Sequence, residues 1–443
     1  MIGRYYKWLL LLLLSGAFFF HQADRALFGL LTIPIQNELG LSDVQIGWIN
    51  TVLSWTLACM AFVAGPVGDR FSRKWIITFS LMAWSLMTFM MGYVGVWHLF
   101  GITIPAFFTV MFFRSIATGV GESFYGPCYP PIIAAFHKST RSIALSIHQG
   151  SLYAGLMTSG VITAWTLGFF RTWRNVFMVF GTAGFLLGVL FIFCLKDTGS
   201  DEEAGKKPAD ANDPRTGIPF LDGFAYFFRT PTAICAMTGF IAIVFVNNAY
   251  LFWAPKFMSV KFGVSVGEAG TQSMLWHHLA AFAAIIAGGL LTDRMVGRFP
   301  RFRLLLQISA LLGGAPCLVL AGCARSTAAF VLLSAAYGVF RGAFEVNTHA
   351  TLFDVIPPRH RSTSVGIFTV FAFFFGGLSG VLMGALSEAY GVRGFEIGFA
   401  ILGCAYVFAA LVMIYSYCRT FLRDRYQYAK SLFPGVRTSS SLI

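Results

Sequence analysis

Long apolar stretches, separated by short polar segments, run along almost the whole chain. A helix of about 20 apolar residues spans the hydrocarbon core of a bilayer. Twelve stretches reach that length, and they lie at 8–35, 44–66, 75–96, 103–134, 142–168, 175–195, 230–255, 270–291, 303–323, 328–355, 363–387 and 394–417. The pattern predicts an all-α polytopic membrane protein with twelve transmembrane helices.

The longest polar interruption, KDTGSDEEAGKKPADANDPRTG at 196–217, falls between the sixth and seventh stretches. Its Asp, Pro, Gly and Lys content is typical of a disordered linker. We therefore expect an N-terminal six-helix bundle at 1–195, a cytoplasmic linker at 196–222, a C-terminal six-helix bundle at 223–418 and a cytoplasmic tail at 419–443.

Three ionisable residues interrupt the first apolar stretch, within FFFHQADRALFG at 18–29. His21, Asp24 and Arg25 stand at i, i+3 and i+4, so they share one helical face. Two interpretations are open. Residues 4–23 have the basic start and apolar run of a cleaved signal peptide. Alternatively, the stretch is a retained transmembrane helix whose charges have a role inside the membrane.

An internal repeat bears on that choice, because three motifs of the first bundle recur in order in the second at offsets of 220–224 residues. The pairs are LGLSDVQIG (39–47) and FGVSVGEAG (262–270), GPVGDRFSRK (65–74) and GGLLTDRMVGRFPR (288–301), and RSIALSI (141–147) and RSTSVGI (361–367). Cleavage after Ala23 would leave eleven spans and break the duplication, so we predict a retained first helix. Duplicated halves suit an alternating-access transporter with its substrate site near the midplane between them.

The composition narrows the class further. The chain is 57% hydrophobic and 12% charged, whereas soluble domains carry about 25% charged residues. Its eight Cys show no CxxC or metal-ligand spacing, and the sequence has no P-loop, HExxH or GxSxG motif. We therefore expect no enzymatic activity, no metal site and no bound cofactor. Because the sequence has no P-loop for ATP hydrolysis, we expect a proton gradient as the driving force.

The basic residues set the expected topology. Of 32 Lys and Arg, 23 fall in the tails, the linker and the even-to-odd loops, six fall in the opposite loops, and three lie within spans. Short loops rich in Lys and Arg stay cytoplasmic, so both termini are expected inside, in a bacterial inner membrane. The net charge of +13 is then explained mostly by the basic residues of the segments expected on the cytoplasmic side. We expect no soluble domain with a clustered basic face that could bind nucleic acid. The expected partners are the bilayer and a small-molecule substrate, and the protein is expected to be a monomer.

One loop motif resembles the signature loop between the second and third helices of the major facilitator superfamily. Its residues here are Gly65, Gly68, Asp69, Arg70, Arg73 and Lys74, and a degenerate second copy has Gly289, Asp293, Arg294 and Arg298. The resemblance implies a gating contact that holds one face closed and breaks on switching. The alternative is that the basic residues only anchor the loop on the cytoplasmic side.

Further motifs resemble particular branches of that superfamily. The DR pair of the first helix, GVGESFYGP (119–127) and WAPKF before FGVSVGEAG are similar to the spinster-like branch. The anion:cation symporter branch shares the DR pair and a fourth-helix glutamate. Both branches imply that the acids matching Asp24 and Glu122 couple transport to protons, with Arg25 as their tuner or as an anion-binding group. The alternative is a static pair that joins helices 1 and 4.

The fourth helix departs from the pattern of these branches. They place an Arg seven residues before the glutamate, where this chain has Ser115, and Arg114 lies eight residues before it. One residue rotates a side chain by about 100° around an α-helix. Whether Arg114 reaches the same cavity is open from the sequence.

The tenth span carries a second charged group. Arg341 and Glu345 are spaced i, i+4, which suits either a substrate role or an intrahelical ion pair, and His349 lies two turns beyond Arg341. Asn247 and Asn248 match Asp24 and Arg25 at the offset of 223 residues. Other donors and acceptors for a polyhydroxylated ligand are Tyr125, His148, Gln149, Tyr153, Tyr250 and Asn347. His277 and His278, near the start of the eighth span, are expected at the membrane interface.

These features predict a proton-coupled secondary transporter of a small organic anion, such as a sugar acid. Spinster-like relatives imply lysophospholipid or sphingolipid-type amphiphiles instead, for which Phe371 and Phe373–Phe375 would line an acyl-chain path. A non-transporting membrane receptor is the third interpretation.

Overall fold

The computed structural model describes residues 2–196 and 220–432, and almost all of them are helical. The helices before the gap are α1 (Ile2–Leu30), α2 (Thr32–Leu39), α3 (Asp43–Arg70), α4 (Arg73–Met90), α5 (Ala106–Val110), α6 (Thr118–Ser123), α7 (Tyr125–Phe136), α8 (Arg141–Phe170) and α9 (Trp173–Cys194). A 3₁₀ turn (Met91–Tyr93) follows α4, and a π-helical segment (Met111–Ala117) joins α5 to α6.

The helices after the gap are α10 (Phe220–Arg229), α11 (Pro231–Phe262), α12 (Val266–Met295), α13 (Phe302–Gly322), α14 (Thr327–Glu345), α15 (Thr348–Phe353), α16 (Arg361–Tyr390), α17 (Val392–Tyr415) and α18 (Phe421–Leu432). A 3₁₀ turn (Pro358–His360) precedes α16, and a π segment (Ser416–Thr420) precedes α18. Most of the predicted linker and the end of the predicted tail lie outside the described residues, so the domain boundaries stay predictions.

Within the described ranges, ten helices are long and apolar enough to cross a membrane. The predicted first and fourth spans are not among these ten. They correspond to α1 and to the segmented helix from α5 to α7, and both contain buried charged residues. The count of twelve spans includes these two helices.

The chain divides into two compact units. Unit 1 comprises Met1–Lys207, Asn248–Leu275 and Gly377–Gly394. Unit 2 comprises Pro208–Asn247, Trp276–Gly376 and Phe395–Ile443. Unit 1 thus contains segments from both halves of the sequence, because the end of α11, the start of α12 and the end of α16 belong to the same unit as the first nine helices.

The first repeated motif is a helix stop followed by a helix start. Gly40 ends α2 with a φ of 65°, and Gly263 after α11 has a φ of 69°, a left-handed conformation that glycine adopts without steric cost. Two residues later, the Ser42 hydroxyl accepts from the Gln45 amide and begins α3. Ser265 accepts from the Glu268 amide in the same way at the start of α12. The duplication in sequence therefore reproduces one local structure.

A short β-hairpin, which the sequence analysis did not predict, precedes the fourth helix. Strand β1 (Trp97–Leu99) pairs antiparallel with β2 (Ile102–Ile104). The turn residues Phe100 and Gly101 have φ values of 52° and 79°, as tight hairpin turns require. The fourth helix consequently begins at Ala106 and not at 103.

Helix α1 lies inside unit 1. Its side chains Leu10 and Leu14 share a buried apolar cluster with Trp84 of α4 and Ile132 of α7. Gly155 of α8 lies against the Phe19 carbonyl, where a Cβ atom would collide, so the two helices pack at closest approach. The polar face of α1 is therefore enclosed by protein and not directed at lipid.

Candidate functional site

The first-helix carboxylate that the sequence singled out is buried. Asp24 is 3% exposed, and its Oδ2 accepts a hydrogen bond of 2.9 Å from the Thr88 hydroxyl of α4. Its other oxygen, Oδ1, makes no hydrogen bond within the described part of the chain. One oxygen of a buried carboxylate is thus left available to a proton or a ligand.

Glu122 lies beside two other polar residues of α1. Its Oε2 is 3.3 Å from His21 Nε2 and 3.7 Å from Arg25 Nε. Glu122 is 3% exposed, whereas the Arg25 side chain is 23% exposed. Charge-assisted hydrogen bonds are typically about 2.7–2.9 Å long, so both pairings are loose.

The π-helical segment explains why Arg114 faces this cluster despite its eight-residue spacing. In the segment the Thr118 amide donates to the Phe113 carbonyl, five residues back, which accommodates one residue more than an α-turn. Arg114 is 3% exposed, and its Nη2 donates to the Arg25 carbonyl at 2.9 Å. Ser115 turns the other way and donates to the Ile49 carbonyl of α3. The structure therefore brings Arg114 to the α1 face.

We call His21, Asp24, Arg25, Arg114 and Glu122 the buried charge cluster. With a neutral imidazole, it contains two carboxylates and two guanidinium groups, so its charges balance. Burying an unpaired charge costs several kcal/mol, and charged residues at membrane depth face protein or a water-filled cavity. The arrangement satisfies that requirement within unit 1 alone.

An aromatic stack continues from the cluster along α1, α7 and α8. The His148 ring lies 4.0 Å from Tyr129 and 4.6 Å from Phe18, centroid to centroid, and both pairs are stacked. The Tyr125 hydroxyl donates to the Leu14 carbonyl at 2.8 Å and lies 3.1 Å from His148 Nε2. Tyr125 and His148 are thus packed side chains that border the cluster.

The remaining predicted ligand residues of unit 1 are scattered. Tyr153 is buried and Gln149 is exposed. The Tyr250 hydroxyl donates to the Ser273 carbonyl at 2.8 Å, and Asn248 Nδ2 lies 3.3 Å from the Ser54 hydroxyl. A ligand-binding role for these residues stays a prediction.

Unit 2 holds the charged group of the tenth span. Arg341 Nη2 lies 3.3 Å from Glu345 Oε2. Asn347 Nδ2 donates to Thr292 at 3.0 Å, and His349 is exposed. Asn247 also belongs to this unit, and its side-chain oxygen makes no hydrogen bond among the described residues.

The two histidines expected at the membrane interface are instead buried. His277 and His278 are 0% and 1% exposed. His277 Nε2 lies 3.3 Å from Arg341 Nη1, so His277 packs against a charged residue of α14, and its depth in the membrane stays a prediction. Nothing in α12 alone marks these positions as buried, because their burial depends on the helices that pack against them.

The structure places the predicted gating residues only in part. Gly65, Asp69 and Arg70 belong to α3, but the surroundings of Gly65 and the side chains of Asp69 and Arg70 lie outside what the structure describes. Gly68 is buried near Cys128, and Arg73 and Lys74 are half-buried at the start of α4. Asp293 and Arg294 are exposed near the end of α12. Their gating role stays a prediction.

A polar group that the sequence analysis missed joins α2, α3, α11 and α16 within unit 1. Lys256 Nζ pairs with Asp43 and donates to Gln36 Oε1 at 2.6 Å. Gln36 Nε2 donates to Asp43 at 2.6 Å, and the Ser387 hydroxyl donates to the other Asp43 oxygen. We call these four residues the polar lock. It connects helices from both halves of the sequence.

Comparison with known proteins gives relatives from two groups of transporters. The chain is 24% identical over 431 residues to the probable galactarate/D-glucarate transporter GarP of Escherichia coli (strain K12), covering 93% of this chain and 95% of that protein. It is 26% identical over 384 residues to protein spinster homolog 1 of Mus musculus, covering 81% and 69%.

Solved structures show the same fold. A bacterial homologue of the human lysosomal transporter Spinster, in an inward-facing and unoccupied conformation, matches with a TM-score of 0.80 at 20% identity, covering 95% of this chain and 98% of that one. The D-xylose-proton symporter matches with a TM-score of 0.67 at 16% identity, covering 92% and 97%. The model of the Major Facilitator Superfamily matches residues 13–321. The predicted helical membrane fold and the transporter class are therefore confirmed, and the chain belongs to the major facilitator superfamily.

Proposed function

We propose that this transporter moves a small organic anion of the sugar-acid class by alternating access, together with protons. The observation that carries the proposal is the buried charge cluster. It combines acids that can hold a proton with cations that can hold an anion, within one packed group of helices. The galactarate/D-glucarate transporters among the relatives support the sugar-acid class.

The charge balance of the cluster supplies a reason for coupling. When Glu122 takes up a proton, it no longer neutralises Arg25, which lies 3.7 Å away. An uncompensated guanidinium in a poorly hydrated site is unfavourable, so an incoming carboxylate becomes a favourable partner. The Arg25 side chain is more exposed than the Glu122 side chain, and Arg25 is the cation that we assign to substrate binding. Proton and anion therefore stabilise each other's binding.

A purely structural role for the cluster fits the distances less well. Glu122 Oε1 makes no hydrogen bond within the described residues, and Asp24 Oδ1 makes none either. A static ion pair that only joined helices would gain most from short, fully satisfied contacts. Loose pairing with vacant acceptors suits groups that change partners during a cycle.

The second candidate is transport of lysophospholipid or sphingolipid-type amphiphiles, which the spinster relatives favour. Phe374 and Phe375 are each 43% exposed on α16, a position that suits either an acyl chain or surrounding lipid. The sugar-acid proposal is preferred because the buried charge cluster of unit 1 is polar and contains two guanidinium groups that can bind a carboxylate. A non-transporting receptor with the same fold would not need the vacant carboxylate oxygens.

We further propose that the monomer lies in a bacterial inner membrane with both termini cytoplasmic.

We assign the polar lock to the conformational cycle. Its two ends belong to the predicted N-terminal and C-terminal halves, so alternating access requires their contacts to break and re-form. An ion pair supported by an amide and a hydroxyl holds firmly yet opens without leaving apolar surface in water. We therefore expect the contacts of the polar lock to form and break reversibly during the transport cycle.

Replacing Asp24 by Asn tests proton coupling. We expect gradient-driven galactarate accumulation in proteoliposomes to fall at least about 10-fold, because the variant cannot exchange a proton at this buried position, while substrate counterflow stays within about threefold. Glu268→Gln, an exposed acid of α12, is the matched control and should accumulate normally. Gradient-driven accumulation by Asp24→Asn at the wild-type level would refute the assignment.

Exchanging two neighbours tests whether the π segment positions Arg114. Arg114→Ser should raise the KM for galactarate about 10-fold, because a buried charged contact is lost. The double variant Arg114→Ser/Ser115→Arg restores the usual seven-residue spacing, yet we expect no recovery, because position 115 faces α3. Thermal unfolding of both purified variants controls for misfolding. Recovery of uptake by the double variant would show that the π segment does not set the register.

Weakening the polar lock should loosen the helix ends that it joins. In Lys256→Gln, backbone amides of 36–47 should exchange hydrogen faster than in wild type, because local opening becomes less costly. Lys261→Gln, on the same helix, serves as the control. Equal exchange in wild type and Lys256→Gln would contradict the role of the lock.

A further inference from the structure

Two glycines allow α12 and α14 to touch in unit 2. Gly338 lies against the His277 carbonyl and Gly342 against the Ala281 carbonyl, at positions where any Cβ atom would collide. Their i, i+4 spacing puts both on one face of α14, the pattern that permits close helix packing in membranes. Arg341 stands on the same turn, and this packing places it directly beside His277.

The hydrogen bonds of His277 fix its protonation. Its Nδ1 lies 3.0 Å from the Ser334 carbonyl, which can only accept, so Nδ1 carries the hydrogen. Nε2 lies 3.3 Å from Arg341 Nη1, which can only donate. The imidazole is therefore neutral and accepts from the guanidinium, and its ring is stacked on Tyr337 with centroids 4.9 Å apart.

A neutral acceptor orients an arginine without neutralising it. Arg341 is 5% exposed, and Glu345, 3.3 Å away, has a side chain that is 32% exposed to solvent. Glu345 Oε2 makes no hydrogen bond in the part of the chain that is described. The Arg341–Glu345 contact is therefore an ion pair without a hydrogen bond, and the guanidinium keeps part of its capacity to bind another anion. A planar guanidinium in a fixed orientation suits a carboxylate or phosphate.

We propose that His277 is a positioning residue that presents Arg341 to an acidic group of the transported molecule. The inference rests on the proposed function for the presence of an anionic substrate. It adds a residue to the proposed site and assigns Arg341 to anion binding, as opposed to an intrahelical ion pair with Glu345. The ligand chemistry is a carboxylate, as in a sugar acid, or a phosphate, as in a lysolipid.

The test uses full-length protein in proteoliposomes and in detergent, with galactarate and lysophosphatidate as separate probes. We expect His277→Ala to raise the Kd and the KM for the transported acid about 10-fold, with kcat within about twofold, because the guanidinium loses its orienting acceptor. His277→Gln keeps a neutral acceptor and should stay within about threefold of wild type. Ser334→Ala keeps the backbone carbonyl that accepts from His277, so it is the matched control and should behave as wild type.

Each outcome separates this inference from the proposed function. If galactarate is transported and His277→Ala leaves its KM unchanged, the positioning role is wrong and the sugar-acid proposal stands. If lysophosphatidate alone is transported and His277→Ala weakens it, the positioning role stands and the sugar-acid proposal is wrong. A lower kcat with unchanged KM, or no rescue by His277→Gln, would show a structural role only, and binding of neither probe would overturn both.

Discussion

The burial of two carboxylates among two guanidinium groups is the constraint on which the rest of unit 1 depends. Asp24 and Glu122 are each 3% exposed, and such groups persist at membrane depth only when opposite charges accompany them. Arg25 and Arg114 supply those charges from different helices, with His21 beside them. The helices that carry this cluster must therefore stay packed, and any change in its protonation changes which contacts are favourable.

The duplicated sequence provides a framework in which the two units carry different chemistry. The same glycine and serine positions stop and start helices in both copies, so the backbone is repeated. The charges are not: unit 1 has acids paired across helices, and unit 2 has Arg341 held by a neutral imidazole. In the proposed function, unit 1 exchanges protons and offers Arg25 to the anion, and unit 2 adds Arg341 in a fixed orientation.

Much of the fold, and part of the site, could be predicted from the sequence because hydrophobic length and the repeat are direct signals. Asp24 and Glu122 stood out because charges within apolar stretches are costly. The position of Arg114 could not be settled, since a π turn leaves no clear mark in the residue pattern. The burial of His277 could not be predicted, because it depends on glycines of a helix distant in sequence. The pairing of Lys256 with Asp43, 213 residues away, is set by tertiary packing and has no local signature.

The most direct test of the central claim is the proton movement that accompanies transport. Proteoliposomes that contain a pH-sensitive dye, with no pH gradient imposed, would receive galactarate from outside. The account predicts that the lumen acidifies as galactarate enters, at a rate that follows the rate of uptake, and that a protonophore abolishes the pH change. Galactarate uptake without any change in luminal pH would contradict the account.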